Sequence, residues 1–91
     1  MLLVQSQRED FARRIVSEAG LAGSFEGNKF IENLKYADGI KMTRIGEEKI
    51  VEWIKYRSGA KDLVRQSIKR NYQDAKSVYN LLLKEVNPPL T

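Results

Sequence analysis

Ninety-one residues, 42% hydrophobic and 31% charged, make one helical domain over 1–91, near the lower end of what buries a core unaided. There is no cysteine and no histidine, which excludes disulfides, Cys/His zinc sites, a thiolate nucleophile and an imidazole base. Sixteen basic against twelve acidic side chains give a net charge of +4, a mild excess that suits polyanionic partners.

Small chains without disulfides or metals gain from oligomerising, so a homodimer is expected. No apolar run approaches the length of a membrane span. Met1-Leu2-Leu3-Val4 is too short for a signal-peptide core. The expectation is a cytoplasmic protein with no membrane contact.

The first helix opens at Ser6-Gln7-Arg8-Glu9, the pattern of a capping box, unless Leu2-Leu3-Val4 extends it backward. Phe11, Ala12, Ile15, Val16 and Ala19 recur at helical spacing, and Gly20 ends the run. Glu9 with Arg13, and Arg14 with Glu18, stand four apart and can pair. Residues 20–27 hold three glycines and read as a flexible connector. They lack the lysine of a phosphate-cradling loop and follow no strand.

The second helix carries Phe30, Ile31, Leu34 and Ala37, capped by Ser24 or Asn28 and stopped at Asp38-Gly39. Ile40 and Met42 alternate around Lys41, so residues 39–43 read as a short strand or wing. Thr43 caps a third helix with a wide apolar face of Ile50, Val51, Trp53 and Ile54. Its acidic start (Glu47, Glu48) and basic end (Lys55, Arg57) suit the helix dipole. Ser58-Gly59 is a stop or a hinge.

The fourth helix runs from Ala60 to about Val86 without glycine or proline, roughly 40 Å if straight. Asn87-Pro88-Pro89 ends it and opens a tail over 87–91. The fold class is therefore all-α: a small bundle of three short helices plus one long C-terminal helix. The expected core is Phe11, Ile15, Val16, Phe30, Ile31, Leu34, Ile50, Trp53, Ile54, Val64, Ile68, Tyr72, Ala75, Tyr79 and Leu82.

Function is sought on the fourth helix, which has two surfaces. Ile68, Tyr72, Ala75, Tyr79, Leu82 and Val86 recur in steps of four and three, the spacing of a coiled-coil seam. That seam serves as core and, through Tyr72, Ala75, Tyr79, Leu82 and Val86, as the expected dimer interface. Lys61, Arg65 and Lys69 form a row at four-residue steps, about 6 Å apart along the axis. Lys55 and Arg57 precede the row; Arg70 and Lys76 widen it. Residues 53–76 hold seven basic and two acidic side chains, so the whole-chain excess is concentrated there.

Such a face can lie along a phosphate backbone and gain affinity by counterion release. Lys55, Arg57, Lys61, Arg65, Lys69 and Arg70 are the expected contacts, neutralising phosphates without reading bases. Tyrosines interleave with the cations at Lys35-Tyr36, Lys55-Tyr56-Arg57 and Arg70-Asn71-Tyr72. Glu48 and Glu52 share a helix face but are fewer than a carboxylate metal site recruits. No catalytic residue, metal or cofactor is expected. A helix-turn-helix would place Gly23 and Gly27 in its second helix, where glycine is unfavourable.

Gly39-Ile40-Lys41-Met42-Thr43-Arg44-Ile45-Gly46-Glu47-Glu48-Lys49-Ile50-Val51 resembles the end of some winged-helix domains. There a strand leads through a Thr-x-x-Gly turn into a helix, and a long dimerising helix can follow. The likeness covers about a seventh of the chain and implies DNA binding. Three helices precede the wing in such domains, and two fit here.

The leading expectation is a small non-catalytic regulator or accessory protein that binds nucleic acid, DNA before RNA. The alternative is a protein-interaction module, a helical adaptor or inhibitor of the kind mobile elements encode, whose basic face meets an acidic protein surface.

Overall fold

The computed structural model describes residues 2–86, which fold as an all-α bundle. Its helices are α1 (Gln5–Glu18), α2 (Phe25–Lys35), α3 (Arg44–Tyr56), α4 (Ala60–Asn71) and α5 (Ala75–Val86). A 3-10 turn, Tyr72–Asp74, joins the last two, so helical turns run from Ala60 to Val86 as the expected long C-terminal helix. The proline-containing tail lies outside the described residues.

The chain enters α1 through an extended strap, not a longer helix. Val4 is the N-cap, with φ −77° and ψ 170°, and its N–H donates to Gln7 Oε1 at 3.0 Å. The expected box at Ser6 and Glu9 does not form, because Ser6 is already inside the helix. Glu9 instead accepts from Arg13 at 2.8 Å and pairs with Lys35 at 3.2 Å, tying α1 to α2.

In the strap Leu3 points inward, while Leu2 and Val4 point out, the alternation of extended backbone. Leu2 bridges Thr43 in antiparallel sense, and Leu3 N–H donates to Met42 O at 2.8 Å. This single bridge stands where a strand or wing was expected; among the described residues 39–43 form no longer ladder. The Arg8 guanidinium donates to Leu3 O at 3.2 Å and to Lys35 O at 2.9 Å, satisfying a carbonyl at the end of α2.

The glycine-rich stretch is an ordered turn. Gly20 (φ 76°) closes α1 in the left-handed region, and Leu21 is buried behind it. Ser24 Oγ accepts Gly27 N–H at 3.0 Å and starts α2, so Gly27 lies within a helix after all. A Cβ there would stand 2.5 Å from Leu21 O and 2.8 Å from Val16 Cγ1, so only glycine lets α2 approach α1 this closely.

Thr43 caps α3 as expected, its Oγ1 accepting Gly46 N–H at 3.0 Å. Arg14 and Glu18 do not pair with each other. Arg14 reaches the buried Glu47 at 2.6 Å, and Glu18 meets Lys55 at 3.8 Å, so both ion pairs bind α1 to α3. Gly59 (φ 82°) makes the short turn into α4.

The long C-terminal run is bent. Asn71 leaves helical geometry at φ −135° and ψ 32°. The longest dimension of the molecule is 36 Å, shorter than the roughly 40 Å of a straight helix of this length. Two side chains fix the bend. Asp74 Oδ1 accepts Ser77 N–H at 3.2 Å and starts α5, and Asn33 Nδ2 donates to Tyr72 O at 2.8 Å. α5 thereby packs on α2, α3 and α4 together.

The core centres on Phe11, Ile15, Phe30, Leu34, Ile50, Val64, Ile68, Tyr79 and Leu82, all fully buried. The rings of Phe11 and Tyr79 meet edge to face at 5.6 Å. Trp53 and Tyr72, expected inside, are only partly covered. Leu3, Leu21, Met42 and Val78 take places in the core that helical periodicity did not assign.

Candidate nucleic-acid interface

The basic row rests on α4. That helix buries Ala60, Val64 and Ile68, one residue per turn. Lys61, Arg65 and Lys69 each follow a buried residue, so they lie side by side at the edge of the buried stripe. α4 is regular over this span and keeps steps of about 6 Å.

The six expected contacts divide into three groups. Lys55, Lys61 and Arg65 gather around the carboxyl end of α1. Lys55 pairs with Glu18, and a Cβ placed on Gly20 would stand 3.4 Å from Lys61 Cε and 4.0 Å from Arg65 Nη1. The carboxyl end of the α1 dipole carries partial negative charge, so part of the row stabilises the fold itself. Arg65 also pairs with Asp62 and is only partly exposed.

Lys69 and Arg70 form the second group, at the carboxyl end of α4. Both are exposed, and among the described residues neither is in an ion pair. Arg57 stands apart on the turn before α4 and lines a groove between α3 and the end of α5. Lys76, counted with the row in the sequence, is carried off it by the bend; its Nζ lies 3.2 Å from where a Cβ of Gly39 would be.

Tyr72, one of the interleaved tyrosines expected after Arg70, is joined by Phe25, which the sequence did not single out. Phe25 is exposed, meets the Tyr72 ring edge-on at 5.6 Å and lies 5.9 Å beneath Lys29 Nζ. In the sequence Phe25 sits inside the glycine-rich stretch 20–27, which reads as connector. Of the two expected caps, Asn28 leaves Phe25 in the connector, and Ser24, the one the structure uses, puts it on the first turn of α2.

The expected dimer seam is mostly interior. Ala75, Tyr79 and Leu82 are buried within one chain and offer no surface to a second copy. The bend is the reason: it turns α5 so that Ala75, Val78, Tyr79 and Leu82 face the bundle. Tyr72 and Val86 keep partial exposure.

Among the described residues no three acidic side chains come together as a metal site, and no helix is long and apolar enough to cross a membrane. Comparison with known proteins gave no match: no family model, curated protein or solved structure aligns significantly with the chain.

Proposed function

We propose that this protein is a non-catalytic nucleic-acid-binding accessory protein that lays α4 along a phosphate backbone. The supporting observation is the edge of α4, where Lys61, Arg65, Lys69 and Arg70 stand with only Asp62 opposing them in that helix. Four phosphate contacts would give duplex binding a log–log salt slope of about −3 to −4. The Phe25–Tyr72 pair at the end of the row supplies an exposed ring with Lys29 Nζ over one face, a group on which an unpaired base can stack once that lysine moves to a phosphate.

The test is a titration against duplex and single-stranded DNA and RNA at several salt concentrations. Binding should weaken steeply with salt. Lys69→Glu with Arg70→Glu should weaken it further and flatten the slope by about two. Absence of binding at about 50 mM salt would sink the reading.

In that event the second reading takes precedence: a protein-interaction module meeting an acidic protein surface through the same face. One observation favours it. Lys55 and Arg65 already hold carboxylates of their own chain, Glu18 and Asp62, so the row accepts acidic side chains at close range.

A further inference from the structure

Between α3 and the end of α5 lies an open groove of about 560 Å³. Its apolar lining is Trp53, Tyr56 and Val86. Tyr56 is 80% exposed, so its ring stands up from the surface beside the groove. Trp53 is shared with a smaller recess of about 250 Å³ that continues past it to Leu63, itself partly exposed. A protruding aromatic ring beside an aromatic-lined hollow is a pairing left open among the described residues.

The charges around this groove differ from those of the rest of the molecule. Lys49 and Arg57 are balanced by Glu52 and Glu85, so the lining carries no net charge on a chain of net +4. Polyphosphate gains little here, because the two glutamates repel it. Two copies of a cationic chain repel each other in general, and a neutral face of mixed sign is where that repulsion is least. A twofold contact must also be self-complementary: every knob needs its hole, and every cation its anion, on the same surface. This face has both.

We infer that the α3–α5 groove is the contact face of a homodimer, with Tyr56 of each copy seated against Trp53 and Val86 of the other. Arg57 and Glu85 form the rim, where each meets its opposite across the twofold axis. The dimer leaves Lys61, Lys69 and Arg70 outside the contact, so it presents two basic rows instead of one. The inference stands apart from the nucleic-acid reading, since no residue of the α4 row lines the groove.

Trp53 is the only tryptophan in the chain, so its emission reports on the groove directly. The full chain would be followed by sedimentation velocity and tryptophan fluorescence over a dilution series without nucleic acid. A concentration-dependent dimer is expected, with Trp53 emission moving to the blue as it forms. Tyr56→Ser should raise the dimer dissociation constant at least about tenfold, as loss of an aromatic anchor does. Glu85→Arg, at an exposed position, should weaken the dimer too, less so at high salt. A chain that stays monomeric up to about 1 mM would overturn the inference. So would a dimer indifferent to both substitutions, or one that forms with no change in Trp53 emission.

Discussion

At the scale of single residues, Tyr79 is placed for its ring and pays with its hydroxyl. The side chain is fully buried against Phe11, yet among the described residues its Oη is the one buried side-chain polar atom without a hydrogen bond of ordinary geometry, the Thr43 backbone offering only a weak contact. Gly46 leaves room for the oxygen; a Cβ there would stand 3.1 Å away, and one of the two would have to shift by a few tenths of an ångström. Burial pushes the phenol above its usual value, partly offset by the Thr43 backbone, and the nearby Glu47 charge adds to the rise. An unsatisfied buried hydroxyl costs about 1–3 kcal/mol. Tyr79→Phe is therefore expected to keep the fold and raise unfolding stability by about 1 kcal/mol in urea titrations. The pH dependence has a definite sign. The folded pKa lies above the unfolded one, so the proton is held more tightly in the native state. That stability is complete below the unfolded value and is lost as pH rises through the folded value. The phenylalanine variant should lack this part of the alkaline destabilisation.

At the scale of elements, helix starts were legible where the signal is local. Ser24 and Thr43 each accept an amide three residues on, and both could be read directly from the chain. The start of α1 was misread by two residues, because Ser6-x-x-Glu9 has the right letters but Glu9 finds cations on two helices instead. The difference is measurable. Thr43→Ala should cost about 1 kcal/mol in chemical denaturation, whereas Ser6→Ala, inside a helix, should be neutral to within a few tenths. The bend at Tyr72–Asp74 was hidden for a related reason. No glycine or proline marks it; it depends on Asn33, 39 residues away in sequence, meeting the Tyr72 carbonyl. The same holds for Arg14 with Glu47 and Arg8 with Lys35, where helix–helix placement decides the partner and four-residue spacing does not. Periodicity therefore gave the helices, most of the core and the Glu9–Arg13 pair, while tertiary contacts took Arg14 and Glu18 to other partners and divided the basic row.

At the scale of the whole molecule, the bend separates two surfaces that the sequence lays on one straight helix. α4 keeps the cations on an exposed edge, and α5 turns its apolar side into the bundle. The seam at Tyr79 and Leu82 is thus a condition for folding and not a surface for pairing, while the candidate surface for pairing has moved to Trp53, Tyr56 and Val86. Leu82 is 0% exposed. An aspartate there would be a charge without a partner in an apolar core, and the cost of several kcal/mol is comparable to the whole stability of a domain this size. Leu82→Asp is accordingly expected to abolish the cooperative thermal transition seen by circular dichroism, even at dilutions where any dimer has dissociated. Lys69→Glu with Arg70→Glu removes no buried contact and should leave the melting temperature within a few degrees of the parent. If Leu82→Asp instead gave a well-folded monomer, Leu82 would belong to an interface between chains, and the interior assigned to α5 would be wrong.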